Sequence, residues 1–265
     1  MYMEGVRFTN ELVKYIFSIY PRFRVKRWIY GEKYFAIENE AGYIGLTLAE
    51  PDIFKVWRDP DNLLDNLGNV DPSDLIMMLL HKNPVYKYVS HAYVNSLVNK
   101  FSLIEEDVGD PIDKMSEAED IERVLIVGYI EPIIRRLTDE GYKVYTVEAN
   151  LDMIREDYRK NEEIYPWWSI EDLLIDSDAL IITGSAIPNN TIGYILSSAR
   201  HIKFKVVIGP STTLVREPFR KYGVNYLGGS IALNSDKIFD LLSKGFGFHE
   251  LEKHNLIRKV TIKVR

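Results

Sequence analysis

Residues 123–149, RVLIVGYIEPIIRRLTDEGYKVYTVEA, decide the fold of this chain. RVLIVG is a short apolar run closed by a glycine, EPIIRRLTDEG has helical period with a proline in its first turn, and YKVYTVEA returns to a β-rich pattern. Strand, helix and strand in one short window make a βαβ unit, which lays its strands parallel in one sheet.

Three more apolar runs follow, at 179–183 (ALIIT), 205–209 (KVVIG) and 224–227 (VNYL), with the helical patterns NTIGYILSSAR and REPFRKYG between them. The alternation predicts a Rossmann-like, doubly wound parallel sheet over residues 122–265. A last alternation, LIRKVTIKV at 256–264, reads as one more strand, at the sheet edge or tying the two halves of the chain together.

Upstream the period changes. NELVKYIFSIY at 10–20 places Leu12, Tyr15, Ile16 and Ile19 on one helical stripe, with Asn10 as the cap and Pro21 as the stop. FRVKRWIY, KYFAIE and GYIGLTL, separated by Gly31-Glu32 and by Glu40-Ala41-Gly42, predict a three-stranded meander within 23–48. After a polar connection containing Pro51, Pro60 and Gly68, Asp71-Pro72-Ser73 and then Pro84 open helices. Residues 1–105 thus read as a smaller α+β domain. The acidic, Pro- and Gly-punctuated stretch IEEDVGDPIDKMSEAEDIE has no sustained period, which marks residues 106–121 as a linker.

Composition narrows the function. A chain of 265 residues that is 46% apolar can fill two cores. A net charge of −6 without basic runs argues against a nucleic-acid partner. With no long apolar span and no leader pattern, no membrane partner and a cytoplasmic location are expected. The absence of cysteine removes disulfides, thiolate metal sites and thiol nucleophiles. That absence, abundant tyrosine and 27% charged residues agree with an archaeal or thermophilic source.

Ligands of open α/β sheets bind beyond the carboxyl ends of the strands, so the loops there carry the search. The first is Gly128-Tyr129-Ile130-Glu131-Pro132, with one glycine where a dinucleotide fingerprint needs three. The second strand ends at Glu148, at the distance from Gly128 where an acid meets ribose hydroxyls; an ordinary strand-end carboxylate is the competing reading. The third, Thr183-Gly184-Ser185-Ala186-Ile187-Pro188-Asn189-Asn190-Thr191, concentrates hydroxyls and amides at a helix start, suited to an anion or carbonyl or to plain capping. The fourth, Gly209-Pro210-Ser211-Thr212-Thr213, is expected beside the first strand, across the crevice from Gly128. Gly228-Gly229-Ser230 is a fifth candidate, or a tight turn. HELEKH at 249–254 has the outline of a metal motif but reads as solvated surface, and Gly184-Ser185-Ala186 lacks the frame of a nucleophile elbow. Tyr88, Tyr93, Tyr145 and Tyr194 read as core, whereas Trp167-Trp168 is placed over the cleft or the linker.

Asp178-Ala-Leu-Ile-Ile-Thr-Gly-Ser-Ala, then Asn190-Thr191, Ile208-Gly209-Pro-Ser-Thr and Gly223-Val-x-x-Leu-Gly-Gly229 resemble the family labelled "putative heavy-metal chelation", a domain of unknown function. The resemblance spans about residues 120–264, with Ala92-Tyr93-Val94-Asn95-Ser96 a weaker echo upstream. It implies a Rossmann-like C-terminal domain, an N-terminal domain similar to the enolase N-terminal unit, and a site in the cleft between them. It nominates Gly128, Pro132, Gly184, Ser185, Asn190, Thr191, Gly209, Pro210, Ser211 and Thr212. Asn189 precedes Asn190 where the family more often has Asn-Gly-Thr, so either amide can be the functional one. Glu131 and Glu148 are the carboxylates nearest the predicted cleft. Without cysteine or clustered histidine, a soft heavy metal needs oxygen ligands or arrives as a preformed chelate.

Three readings follow. The first is a binder of a metal complex, a divalent or heavy metal, or an anionic metabolite in the interdomain cleft. The second is an enzyme using a nucleotide-type cofactor such as NAD or S-adenosylmethionine, with Glu148 on the ribose. The third is a homodimer whose sheet domain serves assembly. No general acid or base is assigned, because that requires a substrate pose.

Overall fold

A computed structural model describes residues 2–48, 53, 62–118, 120–150 and 163–265. Pro51 and Pro60 of the polar connection lie outside the described residues.

Helix α1 (Tyr2–Ile19) begins earlier than predicted. Asn10 is therefore no cap; it sits in mid-helix, its Nδ2 donating to Val6 O at 2.9 Å. Leu12 and Ile16 are fully buried, whereas Ile19 at the helix end is 59% exposed. The meander follows as predicted, with β1 (Val25–Tyr30), β2 (Tyr34–Asn39) and β3 (Ile44–Leu48) antiparallel. Its second turn holds Gly42 at a φ of 82°, which only glycine adopts without strain.

Helices α2 (Pro72–Met77) and α3 (Pro84–Val98) open on side-chain caps. Asp71 accepts from Ser73 N at 2.7 Å and Asn83 from Val85 N at 2.9 Å. Helix α3 lies almost in contact with the meander backbone: a Cβ on Gly45 would stand 1.9 Å from Ala92 O. The acidic stretch before the sheet contains α4 (Pro111–Ser116), capped by Asp110. Its Ile112 and Met115 are buried against one face of the sheet, a local pattern too short to register as periodicity.

The large sheet comprises β4 (Arg123–Val127), β5 (Lys143–Glu148), β6 (Ile164–Pro166), β7 (Ala179–Thr183), β8 (Phe204–Ile208), β9 (Tyr226–Ala232) and β10 (Ile257–Lys263). Helices α5 (Glu131–Asp139), α6 (Ile170–Ile175), α7 (Ile192–Ser198), α8 (Glu217–Arg220), α9 (Ser235–Ser243) and α10 (Phe248–Lys253) complete the unit. The strands stand in the order β10-β9-β8-β7-β4-β5-β6, parallel except for β10, which runs antiparallel on β9.

Strand β6 is absent from the sequence reading, being three residues long and ending in proline. Counting it, the parallel strands take the doubly wound order 3-2-1-4-5-6, so the neighbour of β4 across the switch point is β7. The loop facing Gly128 is accordingly the one after β7, and the Gly209 loop lies one strand further out. Gly228-Gly229-Ser230 is no loop at all: these residues pair with Thr261, Val260 and Lys259 inside β9.

Helix α1 belongs to neither sheet and packs on α7 and α8. The approach is close because glycines face it from both sides: a Cβ on Gly5 would lie 2.2 Å from Asn190 O, and one on Gly193 2.4 Å from Glu4 O. Phe8 meets the Phe219 ring at 5.0 Å. One apolar cluster runs from the meander and its helices through α1 into the sheet. Among the described residues no helix is long and apolar enough to cross a membrane.

Candidate functional site

A cavity of about 580 Å³ opens at the carboxyl ends of β8 and β9, within the range of small-molecule sites. Ile112, Ile130, Pro132, Ile133, Ile208, Pro210, Phe248 and Val260 supply a largely apolar wall, with Gly209, Gly228 and Gly229 as its bare backbone. Asp107, Asp110, Arg136, His249, Glu252, Lys259 and Thr261 supply the polar groups. It therefore lies between the sheet, the 107–112 segment and α10, and no residue of α1, the meander or α3 lines it.

Of the candidate residues, the cavity gathers Pro132, Gly209, Pro210, Gly228 and Gly229. The others are held elsewhere. Glu131 pairs with Arg135 at 2.7 Å on the surface of α5. Gly128 adopts a φ of 95°, and a Cβ there would lie 2.7 Å from the Thr183 methyl, so that side chain fills the space beside the turn. Both oxygens of Glu148 serve backbone amides, Oε2 accepting from Tyr129 N at 2.8 Å and Oε1 from Ala149 N at 2.8 Å and Asn150 N at 3.0 Å. The carboxylate clamps the first loop to the second.

In the loop after β7, the Ser185 and Thr183 hydroxyls bond each other at 3.1 Å. Asn189 Oδ1 accepts from Thr191 N at 3.1 Å and from its hydroxyl at 2.6 Å. Asn190 takes a left-handed φ of 65° and accepts from the Thr9 hydroxyl at 2.5 Å. It borders a separate cavity of about 330 Å³ with Thr9, Asn10, His81 and Lys87. Gly184 is required by proximity, since a Cβ would meet Thr212 N at 2.5 Å.

The Gly209 loop is fastened by a buried polar chain. Ser211 Oγ accepts from Leu48 N at 2.7 Å, and its carbonyl accepts from Asn95 Nδ2 at 3.3 Å. Asn95 Nδ2 also donates to Leu46 O at 2.9 Å, which leaves Asn95 Oδ1 to accept from the Thr213 hydroxyl at 2.7 Å. The single proton of Thr213 is thereby spent, so its oxygen accepts from His91 Nε2 at 3.1 Å. His91 Nδ1 then accepts from Thr47 Oγ1 at 2.8 Å. The donors assign His91 as the neutral Nε2–H tautomer, and complete burial pulls its pKa down to about 3. Asn99 closes the chain through Thr212 O at 3.1 Å and Leu214 N at 3.1 Å. Of the consecutive hydroxyls that signal a ligand in sequence, those of Ser211 and Thr213 are thus spent on the contact with α3 and β3, and Thr212 Oγ1 is buried without a hydrogen-bond partner among the described residues.

Nothing in the sequence pattern singles out Arg136, Phe248 or Lys259 as lining this cavity. His249 and Glu252 were set aside with the HELEKH stretch as surface; they are exposed, yet they line the cavity mouth. Their signal lies in tertiary placement of α10, not in spacing.

A site rich in backbone and poor in donors must be tested against a metal. Among the described residues no three His, Asp or Glu side chains converge, and the chain has no cysteine. The cavity acids are also spent: Asp107 accepts from Thr261 N at 2.9 Å, Asp110 pairs with Arg136 at 2.9 Å and Glu252 with Lys259 at 2.6 Å. These residues do not fit a bare soft cation.

The profile of DUF364, described as "Putative heavy-metal chelation", matches residues 110–261. The chain belongs to that family. A DUF364 protein of unknown function from Desulfitobacterium hafniense has a crystal structure that superposes with a TM-score of 0.78 at 19% identity, covering 99% of this chain and 100% of that one. A second, from Pyrococcus horikoshii, gives 0.72 at 20% identity, covering 98% and 100%. An uncharacterized protein of Methanocaldococcus jannaschii is 22% identical over 195 residues, 73% of this chain and 71% of its own length. The two structural likenesses establish a shared fold for this DUF364 member.

Proposed function

We propose that this DUF364 protein binds a small organic anion with an apolar body in the cavity at the carboxyl ends of β8 and β9, and that a heavy metal enters there only as a preformed chelate of such a ligand. The observation behind this reading is a largely apolar cavity at the carboxyl edge of the parallel sheet, the edge at which doubly wound folds hold their ligands, here beyond β8 and not at the switch point between β4 and β7. Ile130, Ile133, Ile208, Phe248 and Val260 would cover the apolar body. Arg136, His249 and Lys259 would meet the charge at the rim, in competition with the carboxylates that already hold Arg136 and Lys259. Affinity would therefore come mainly from apolar burial, at about 25 cal/mol per Å².

Thermal unfolding against aromatic and alicyclic carboxylates, each alone and with divalent or oxyanionic metals, tests the reading. A ligand at a hundred times its dissociation constant adds about 2.7 kcal/mol. The expected result is a rise in midpoint with an organic anion, abolished by Ile208→Trp, which fills the mouth. A rise with a metal salt alone would overturn it. A rise with NAD or S-adenosylmethionine that vanishes in Glu148→Gln would replace it with the cofactor reading.

A further inference from the structure

The opposite end of the sheet carries a second site with a different chemistry. The loop before β8, the loop before β9 and the residues after β10 meet at the amino ends of the parallel strands. There they enclose a cavity of about 720 Å³ lined by Arg200, His201, Lys203, Lys205, Lys221 and Arg265, with Tyr222, Gly223 and Asn225. Among the described residues no Asp or Glu side chain lines it. Lys221 is neutralised by Glu11 at 3.3 Å. Among the described residues, Arg200, Lys203, Lys205 and Arg265 have no carboxylate partner.

Lys205 is the informative member. It lies within β8, is only 3% exposed, and spends one of its three ammonium donors on Ile202 O. Buried lysines are almost always paired. The position is not slack: Asn225 Oδ1 accepts from Lys205 N at 2.8 Å, Asn225 N donates back to Lys205 O at 2.8 Å, and Val264 N donates to Asn225 O at 2.8 Å. Strand start, turn and chain end are thus locked around the ammonium. A second cation is aimed at the same place. Gly223 has a φ of 72°, and a Cβ built there would lie 3.2 Å from Arg265 Nη1 and 3.4 Å from Lys205 Nζ. Burial, and then the charge of Arg265, pull the Lys205 pKa down to about 8. A buried ammonium with an exposed guanidinium beside it, and no carboxylate partner among the described residues, is unfavourable until something anionic joins it.

We propose that this cavity is a binding site for a phosphate-type oxyanion, either inorganic phosphate or diphosphate or the phosphoryl end of a metabolite, held between Lys205 and Arg265 with Arg200 and Lys203 at the rim. The spare donors of Lys205 and the guanidinium of Arg265 provide charge-assisted hydrogen bonds to its oxygens. The site is independent of the carboxyl-end cavity and of whatever binds there.

Calorimetric titration with phosphate and with diphosphate at constant ionic strength, on the full chain, tests this. The expected result is saturable binding, tighter for diphosphate, weakened at least tenfold by Lys205→Met and also by the surface variant Arg265→Gln. Without anion, Lys205→Met should unfold at the same temperature as the parent or higher, because it removes an uncompensated buried charge. If Lys205 merely ties down the Ile202 carbonyl, that variant unfolds earlier and Arg265→Gln leaves anion binding unchanged, which overturns the proposal. Absence of any binding heat, or an affinity in both variants equal to the parent's, also overturns it, as would binding of a nucleic-acid duplex in preference to diphosphate.

Discussion

The loops after β7 and β8 look alike in sequence, each a glycine followed by a cluster of hydroxyl and amide side chains, yet the fold employs them in opposite ways. In the loop after β8, Ser211 is 2% exposed and Thr212 and Thr213 not at all, and their polar groups reach α3 and β3. In the loop after β7, Asn189 is exposed and bonds only within its own turn, while Asn190 reaches α1. The difference is what stands opposite. A polar residue facing another element's backbone becomes a structural bond, and one facing solvent closes a local turn; composition alone cannot distinguish these from a ligand site.

The contrast predicts unequal costs. Asn95→Leu should be the most damaging change, because its amide serves Leu46 O, Ser211 O and the Thr213 hydroxyl at once. Leaving these buried groups unsatisfied costs about 1 to 3 kcal/mol each. A loss of about 3 kcal/mol or more in urea unfolding is expected. A loss below about 1 kcal/mol would mean that the network is solvated and the loop free to serve a ligand.

His91 gives the same chain a pH signature. Its pKa is depressed in the folded state to about 3, against 6.5 in the open chain, so below 6.5 the unfolded chain binds the extra proton. The contribution of neutral His91 is fully present above pH 6.5 and is lost as pH falls toward 3, at about 1.4 kcal/mol per unit. The stability difference between the parent and His91→Gln should narrow across that window as acid is added. A difference that stays flat from pH 7 to 4 would show that the ring is hydrated and its partners are not as closed as the geometry makes them.

Much of this was legible and some was not, for identifiable reasons. The βαβ window, the meander and the capped helices are local, and local pattern specifies them. Strand β6 was not legible because three residues ending in Pro166 carry no period, and missing it displaced the neighbour of Gly128 by one strand. Glu148 stands at the strand end expected of it, and nothing in sequence shows that its carboxylate will accept from Tyr129 N. The cavity wall was seen only in part. Pro132, Gly209 and Pro210 lie on loops the topology selects, whereas Phe248, His249 and Lys259 arrive from a helix and an edge strand folded back from the chain's last residues. Lys205 was hidden inside an apolar run, where a single lysine resembles a strand position facing solvent.

The smallest expected effect is also the sharpest test of the contrast. Asn189→Ala removes the acceptor of a turn closed on Thr191 alone, at an exposed position where water replaces the lost bond. Surface changes of this kind stay within about 0.5 kcal/mol. The corresponding alanine substitution in the loop after β8, Ser211→Ala, removes a buried hydroxyl that accepts from the part-buried Leu48 amide, and should cost more by about 1 kcal/mol. Measured side by side in one denaturant series, the two alanine variants should differ in midpoint and not in slope. Equal losses would mean that the exposed turn is as tightly coupled to the fold as the buried one, and the hydroxyl-rich loop after β7 would then need a structural account of its own.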